Sequence, residues 1–222
     1  MAHDLIDSTE MYLRTVLELE EEGIPALRAR LSERLGLSPP SISEGVARLA
    51  SQGLMRLADD RTVELTHDGR VRAEQVMRKH RLAERLLVDV LGLEHEYVHE
   101  EACRWEHVIS DRVEQRLVEF LGNPTTSPYG NPIPGSGEGF EDVVALAEVG
   151  AEVVMIHSIS EHLQADPEAM HVLHEYGMIA GERAEVARHD GGVVLLLAGH
   201  RFELSPEASR YVYVVPVAVA GA

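Results

Sequence analysis

The chain has 222 residues, of which 45% are hydrophobic and 26% charged, enough to bury the core of one to three compact domains. Its formal net charge of −18 repels nucleic acid at long range, so DNA binding would require a local excess of positive charge. Residues 26–61 hold six arginines against four acids, whereas residues 123–222 hold fourteen acids against four arginines. One cysteine excludes an internal disulfide, and neither a leader pattern nor an apolar run of membrane length is present, so we expect a cytoplasmic protein.

The N-terminal third of the sequence predicts a helix-turn-helix followed by a β-hairpin. Apolar residues recur at helical spacing within residues 4–23, 27–35 and 39–52, and a glycine ends each segment. Two short strands, 54–57 and 62–65, then enclose a polar turn. This order of elements indicates a winged helix-turn-helix, which is a DNA-binding fold.

A helical region and a proline-rich connection follow. Helices are predicted over residues 66–91, 94–108 and 110–121. Their apolar residues exceed what three isolated helices can bury, so we expect part of this surface to face a second subunit. Residues 122–139 contain four prolines and five glycines among polar residues, which predicts a linker.

The C-terminal part changes to short β-type runs, interrupted by one helix over residues 166–176. The predicted strands are 152–156, 184–187, 192–197, 201–204 and 211–215. Five short strands in so small a region predict an SH3-like barrel. The expected fold class is therefore mainly α with a C-terminal all-β domain.

One predicted helix concentrates ligand-type side chains on a single face. Four residues stand there at positions i, i+4, i+7 and i+8, namely His99, Cys103, Glu106 and His107. Taken singly, a lone cysteine is most often a small core residue and a lone histidine a satisfied one. Together, a thiolate, a carboxylate and an imidazole can converge on one cation, which makes a metal site a serious hypothesis.

A second pair lies on the preceding predicted helix. His80 and Glu84 stand at i, i+4, and their helix must pack near the helix that carries His99. A second metal position close to the first is therefore plausible. The alternative interpretation of this pair is a solvated glutamate beside a partly exposed histidine.

Longer motifs add a resemblance. They are STEMYLR at 8–14, MRKHRLAERLL at 77–87, EACRWEH at 101–107 and SPYGNPIPG at 127–135. These stretches resemble the diphtheria toxin repressor family, and within it the iron-dependent regulators of actinobacteria. The resemblance is nearly continuous over residues 4–135 and looser beyond.

The resemblance implies a homodimer with a DNA operator as its partner and no membrane association. It implies a winged helix-turn-helix DNA-binding domain at 1–74, a helical dimerisation and metal-binding domain at 75–122, a linker at 123–141 and an SH3-like domain at 142–222. Whether one dimer or two bind each operator stays open.

The resemblance also implies two metal sites and one anion site. The activating site falls on Met11, Cys103, Glu106 and His107. The ancillary site falls on His80, Glu84, His99, Glu161 and Gln164. The anion position falls on Arg81, Ser127 and Asn131. Without the resemblance, Met11 would be interpreted as a core residue, and Glu161 with Gln164 as a polar strand end.

The ligand types bear on which metal is expected. A thioether and a thiolate beside imidazole and carboxylate suit ferrous iron, cobalt, nickel or zinc better than the harder manganese ion. In the family, manganese sensors carry carboxylates at the positions of Met11 and Cys103. We therefore expect Fe2+ at two sites per subunit, with Co2+, Ni2+, Zn2+ or Mn2+ able to substitute in vitro.

The predicted recognition helix, 39–52, has no arginine, asparagine or glutamine at its start for bidentate base contacts. Readout through phosphates, thymine methyls and DNA shape is therefore expected. The residues expected at DNA are Arg28, Arg30, Ser38, Pro40, Ser41, Ser43, Arg48 and Arg61. Glu44 stands where family members commonly have glutamine, and an acid there disfavours phosphate but can accept from cytosine N4.

These expectations combine into a ferrous-iron-activated repressor of iron homeostasis genes that binds palindromic operators. Met11 lies on the first helix, so coordination would fasten the DNA-binding domain to the helical domain and shift the population toward a DNA-competent state. A manganese-responsive regulator of the same fold is the alternative. An enzyme is disfavoured because Cys103 and His107 lie in a regular helix without an oxyanion site or a hydrolase motif.

Overall fold

The structure is a computed structural model, and it describes residues 8–140, 142–150, 152–178, 180–189, 192–197 and 199–217. The start of the helix predicted over residues 4–23 lies outside the described residues. The order of elements confirms the predicted fold class, a mainly helical chain that ends in an all-β domain. None of the helices described is both long and apolar enough to span a bilayer.

The N-terminal part is a winged helix-turn-helix. Its elements are α1 (Ser8–Glu21), α2 (Arg28–Leu35), α3 (Pro39–Ser51), β1 (Met55–Leu57) and β2 (Val63–Leu65). The two strands pair antiparallel and form the wing. Apolar residues from the three helices and both strands form one buried cluster, which fixes α1 against the recognition helix α3.

The middle of the chain is helical, as predicted, but its ends differ. Helix α4 (His67–Arg85) continues into a π-helical turn (Leu86–Val90), followed by α5 (His95–Trp105) and α6 (Asp111–Phe120). The helix predicted to reach residue 108 ends at 105, because the amides of Val108 and Ile109 both bond back to the Trp105 carbonyl and close a turn.

Helix α4 belongs to two cores, so the predicted domain limit at residues 74 and 75 falls inside a continuous helix. Ala73 and Met77 pack in the N-terminal cluster, whereas Ala83 and Leu87 pack in the cluster that also holds the C-terminal sheet. A periodic pattern cannot show this, since both ends of the helix are apolar on one face.

The C-terminal domain is an antiparallel sheet in the strand order β3-β8-β4-β5-β6-β7. Its strands are β3 (Val144–Ala145), β4 (Val153–Ile159), β5 (Arg183–His189), β6 (Gly192–Leu197), β7 (His200–Leu204) and β8 (Val212–Pro216). Helices α7 (Glu161–Gln164) and α8 (Pro167–Glu175) connect β4 to β5. The five predicted strands are confirmed with shifted ends, and the two-residue strand β3 was not predicted because it is too short for an alternating pattern.

The predicted linker contains no helix or strand among its described residues, and it packs against α4. Arg78, Arg81 and Arg85 of α4 donate to the carbonyls of Pro134, Pro132 and Thr126 respectively. Prolines and glycines prevent regular structure here, but arginines reaching from α4 satisfy the free carbonyls and hold the segment in place.

Candidate metal centre

A cluster of charged and polar side chains is buried where α1, α4 and α5 meet. Its members with less than a tenth of their surface exposed are Arg14, Glu18, His80, Glu84, His99 and Glu106. Burying charged groups away from water is costly unless each finds a partner. The contacts inside the cluster therefore decide what it can do.

Arg14 stands in the middle of the cluster. Its Nη1 donates to both Glu106 carboxylate oxygens, at 2.6 and 2.8 Å, and lies 3.3 Å from Cys103 Sγ. Its Nε donates to Glu18 Oε1 at 2.6 Å, one helical turn further along α1. One guanidinium thus ties the first helix of the DNA-binding domain to α5 and the turn that follows it.

His80 connects two groups of ligand-type atoms. Its Nδ1 is 2.7 Å from Glu106 Oε2 and its Nε2 is 3.0 Å from Glu84 Oε1. The ligand atoms of His80, Cys103 and Glu106 lie within 4.8 Å of one another, and so do those of His80, Glu84 and His99. Two adjacent groups able to hold a cation therefore share one histidine.

Positive charge in the cluster keeps the side chains of Glu106 and Cys103 in their anionic forms. Burial raises the pKa of Glu106, but Arg14 and His80 outweigh burial and hold the Glu106 pKa at about 2. Burial likewise raises the pKa of the Cys103 thiol, and Arg14 with His99 reverses that effect and brings the thiol pKa well below its usual value. A carboxylate and a thiolate are the forms that bind metal ions.

Four buried side-chain atoms have no hydrogen-bond partner among the described residues: Glu84 Oε2, His99 Nδ1, His107 Nε2 and Gln164 Oε1. All four belong to residues that the sequence assigns to a metal site. An unsatisfied buried polar atom costs about 1–3 kcal/mol. Since each atom can offer a lone pair, the donor set fits a divalent transition-metal ion.

The structure brings together three residues of the predicted activating set. Cys103 and Glu106 meet His80, and His107 Nε2 lies 3.2 Å from Glu106 Oε1 without hydrogen-bond geometry. The other ring nitrogen of His107, Nδ1, is 2.7 Å from Glu10 Oε2. This orientation follows from the early end of α5, which leaves His107 in the turn beyond the helix. Met11 lies half-buried on α1, one turn before Arg14.

The structure brings together those residues of the predicted ancillary set that lie on α4 and α5. His80, Glu84 and His99 form the second group described above. Glu161 instead forms an ion pair with Arg81, with 2.8 Å between carboxylate and guanidinium. The Gln164 side-chain amide donates from Nε2 to the Ile159 carbonyl at 2.7 Å. Both residues are buried in α7, the short helix that turns toward α5.

The predicted anion position is already filled by carboxylates. Arg81 is fully buried and donates to Glu21, to Glu161 and to the Pro132 carbonyl. These contacts, with the Glu161 ion pair on Nη2, engage all the N–H groups that a guanidinium has. Ser127 and Asn131 are buried nearby in the packed segment, where Asn131 donates to the Ile159 carbonyl at 2.7 Å. A free anion would have to displace a glutamate.

The predicted DNA residues are all exposed: Arg28, Arg30, Ser38, Pro40, Ser41, Ser43, Arg48 and Arg61. Some have intramolecular partners. Ser38 caps α3 by accepting from the Ser41 amide, and Ser43 donates to the Pro39 carbonyl at 3.0 Å. Arg48 donates to Thr9 at 3.2 Å, so it connects the recognition helix to the start of α1.

Sequence reasoning missed Arg14, Glu18 and Glu10, although each contacts the cluster. A signal was present: Met11, Arg14 and Glu18 stand at i, i+3 and i+7, so a proposed ligand shares its helix face with a cation and an acid. Spacing alone leaves such charges in solvent, and only the packing of α1 against α4 and α5 shows that they are buried.

Comparison with known sequences gives two family matches. Residues 4–63 match the N-terminal DNA binding domain of the iron dependent repressors, and residues 66–135 match their metal binding and dimerisation domain. The iron-dependent repressor IdeR of Mycobacterium tuberculosis is 50% identical over 211 residues, spanning 89% of this chain and 92% of that protein. The diphtheria toxin repressor of Corynebacterium diphtheriae is 46% identical over 211 residues, spanning 90% and 93%.

Comparison with solved structures shows the same architecture. The crystal structure of T. acidophilum IdeR superposes with a TM-score of 0.78 at 26% identity, over 94% of this chain and 97% of that chain. A manganese-dependent transcriptional repressor in complex with manganese gives a TM-score of 0.82 at 32% identity, over 94% and 100%. The likeness therefore includes the C-terminal domain as well as the two family matches.

Proposed function

This chain belongs to the iron-dependent repressor family, and from that premise we propose that it is a ferrous-iron-activated transcriptional repressor that acts as a homodimer on palindromic operators. The proposed role is regulatory rather than enzymatic, and it places the protein with the genomic DNA in the cytoplasm. The genes it controls are proposed to be those of iron homeostasis.

The observation that carries this proposal is the donor set buried between α1, α4 and α5. A cluster without a ligand role would pair its polar atoms internally, yet the orphaned atoms here all belong to Glu84, His99, His107 and Gln164. The sulfur of Cys103 beside carboxylate and imidazole suits ferrous iron better than a harder ion.

Two cation positions per subunit are proposed. The ancillary position uses His80, Glu84 and His99, with Glu161 and Gln164 reaching in from the C-terminal domain. The activating position uses Met11, Cys103, Glu106 and His107. A bound cation supplies the positive charge that lets these anionic and lone-pair groups converge, and Co2+, Ni2+, Zn2+ or Mn2+ would substitute in vitro.

A short path connects the cluster to the DNA-binding surface. Helix α1 carries Arg14 and Met11 on one face, while Tyr12 on the same helix donates its hydroxyl to the Ser41 carbonyl of α3 at 3.1 Å. Arg48 of α3 reaches back to Thr9. A change in how α1 is held at the cluster therefore reaches the recognition helix through direct contacts, which is a population shift of one packed element.

The experiment is an anaerobic DNA-binding titration with Fe2+, with Mn2+ and with chelator, on a duplex selected from a random pool in the presence of Fe2+. We expect tight binding with Fe2+, weak binding with chelator, and loss of the Fe2+ response in Cys103→Ser. Glu44→Gln, on the exposed face of α3, serves as a control that changes DNA affinity without removing the metal response. Binding that is indifferent to every metal would overturn the proposal.

A manganese-responsive regulator is the second candidate, and the close superposition on a manganese-dependent repressor favours it. The two candidates differ at Cys103, since a thiolate prefers Fe2+ over Mn2+. A response to Mn2+ stronger than that to Fe2+ at equal free concentration would support the second candidate.

A further inference from the structure

Arg14 uses the same lone pairs that a cation in the activating position would need. Its Nη1 lies 2.6 and 2.8 Å from the two Glu106 oxygens and 3.3 Å from Cys103 Sγ. A transition metal takes such ligands at about 2.0–2.3 Å, and each lone pair serves one strong partner at a time. A guanidinium and a divalent cation on the same two groups would also repel each other in a site where water does not screen them.

Arg14 has a second acidic partner, Glu18, that it can keep when it releases Glu106. Its Nε is bonded to Glu18 Oε1 at 2.6 Å, and the Glu18 side chain is only 8% exposed. Because Glu18 lies one turn along the same helix, the guanidinium keeps a charged partner after it releases Glu106. The exchange therefore leaves no unpaired buried cation, which would be the costly outcome.

We propose that the Arg14 guanidinium is a built-in competitor of the metal ion, holding Glu106 and Cys103 until a cation displaces it. Arg14 thereby sets the cation concentration at which the activating position fills. This inference rests on the proposed metal-sensing function and adds to it the residue that determines the threshold.

The position of Arg14 on α1 gives the exchange a structural consequence. Arg14 and Met11 share a face of α1 at i, i+3. When the Arg14 guanidinium binds Glu106 and Cys103, it connects α1 to α5. When the cation replaces the guanidinium, the connection between the two helices runs through Met11 and the bound cation. The same helix is thus held in two arrangements, and the cation selects between them.

The competing explanation is that Arg14 is a fixed partner which neutralises an excess of acid around the ion. Both explanations keep Arg14 buried, but they predict opposite effects of removing it. A competitor weakens cation binding, whereas a fixed partner strengthens it or leaves it unchanged by keeping the ligands in place.

The test is a Co2+ titration of chelator-treated protein, followed by the thiolate-to-cobalt absorption band. Arg14→Leu, which adds no ligand atom, is expected to bind Co2+ about tenfold more tightly than the unsubstituted protein, equivalent to about 1.4 kcal/mol. The control is Arg34→Leu, because Arg34 is also buried against a glutamate, Glu22, with side chains 7% and 3% exposed. Arg34→Leu should leave the Co2+ affinity unchanged.

A second measurement needs no substituted protein. In nitrogen-15 spectra of the unsubstituted chain, the Arg14 guanidinium N–H signals should shift when Zn2+ is added, because they lose Glu106 as a partner. Signals unchanged at full Zn2+ occupancy would show that Arg14 stays in place and would overturn the inference.

The outcomes separate the two proposals. If the unsubstituted protein binds Co2+ without a thiolate band, the activating site itself is wrong and the proposed function loses its basis. If the band appears but Arg14→Leu binds Co2+ equally or more weakly, only the competitor role is overturned and the sensor function stands.

Discussion

Glu84 is a buried acid with one unsatisfied carboxylate oxygen among the described residues. Its side chain is fully buried, with Oε1 on His80 at 3.0 Å and Oε2 without a partner among the described residues. A carboxylate left in that state is destabilising unless a cation shares it. The two Glu84 carboxylate oxygens are therefore better suited to binding a cation than to stabilising the fold.

We predict that Glu84→Gln weakens cation binding at the ancillary position by about tenfold, or about 1.4 kcal/mol. In chelator, the same substitution should leave the free energy of unfolding unchanged or higher, because a buried charge with an orphaned oxygen is removed. Zn2+ titration and thermal unfolding measure the two effects. Glu64→Gln, on the wing, is the matched control. A large loss of stability in chelator with unchanged Zn2+ affinity would contradict the assignment.

A second residue-scale prediction concerns His95 and His174, which join α5 to α8. Their rings stack with centroids 3.9 Å apart. Burial, and then His174, lowers the pKa of His95, against smaller opposing effects of Glu96 and Asp89. The folded state thus binds fewer protons than the unfolded state near the ordinary histidine pKa, so stability rises with pH through this range and falls as the pH drops below it.

Between pH 7.5 and 5.5 the stacked pair therefore lowers the unfolding midpoint on acidification, whereas Glu21 and Glu22, whose pKa burial raises to about 7, act in the opposite direction. His174→Gln should remove the contribution of the pair, so that its midpoint falls less, or rises more, than that of the unsubstituted protein. His200→Gln, at an exposed histidine of β7, is the control and should keep the pH dependence of the unsubstituted protein. An unchanged pH dependence in His174→Gln would show that the stacked pair is not responsible.

At this scale the sequence predicted the ligand types but not their partners. The spacing of His99, Cys103 and Glu106 on one helix indicated a convergent site, and the structure places Cys103 and Glu106 together. The sequence could not show that His80 joins them or that His107 turns its Nδ1 to Glu10. Both contacts depend on where α5 ends and on how α1 packs.

At the scale of elements, the contact between α1 and the recognition helix α3 depends on Gly45. A Cβ at this position would overlap the Tyr12 ring, which is itself buried. The absence of a side chain lets the two helices approach closely enough for Tyr12 to reach the Ser41 carbonyl. This is the contact through which we propose that the cluster influences DNA binding.

Gly45→Ala should lower the free energy of unfolding by up to about 2 kcal/mol, because overpacking costs about 1–3 kcal/mol and the gain in helix propensity offsets only about 1 kcal/mol. Gly150→Ala, where no atom lies within 4 Å of the added Cβ, is the control and should be close to neutral. Urea unfolding of both variants checks this. A more stable Gly45→Ala would show that the helices are not tightly packed there.

The order of helices and strands followed from periodicity and turn residues, and most bounds agree within a few positions. Two features could not be predicted, and both have physical causes. The segment 122–139 packs against α4 through arginines that are distant in sequence. Helix α4 continues across the predicted domain limit, and its two ends bury apolar faces in different cores.

At the scale of the whole molecule, α6 has an apolar face that the described residues of the subunit leave largely uncovered. None of its residues is buried, yet Val113, Leu117 and Phe120 stand at i, i+4 and i+7 on one side, and Phe120 is 68% exposed. A stable helix of this kind normally buries such a face. The family match to a dimerisation domain covers this helix, so we assign the face to the homodimer.

Phe120→Glu should convert the dimer to a monomer in light-scattering measurements. Each exposed aromatic side chain is worth about 1.5–3 kcal/mol on burial, and two-fold symmetry doubles the loss. Leu196→Glu, an exposed apolar residue of the C-terminal sheet, should leave the dimer intact. A Phe120→Glu dimer of undiminished stability would place the interface elsewhere.

We propose that a metal ion acts at the buried cluster between α1, α4 and α5. An anomalous-scattering structure of the Co2+-loaded protein tests this most directly. We predict two cobalt positions per subunit, one on His80, Glu84, His99, Glu161 and Gln164 and the other on Met11, Cys103, Glu106 and His107. Cobalt found only on the surface, with the cluster unchanged, would contradict the claim.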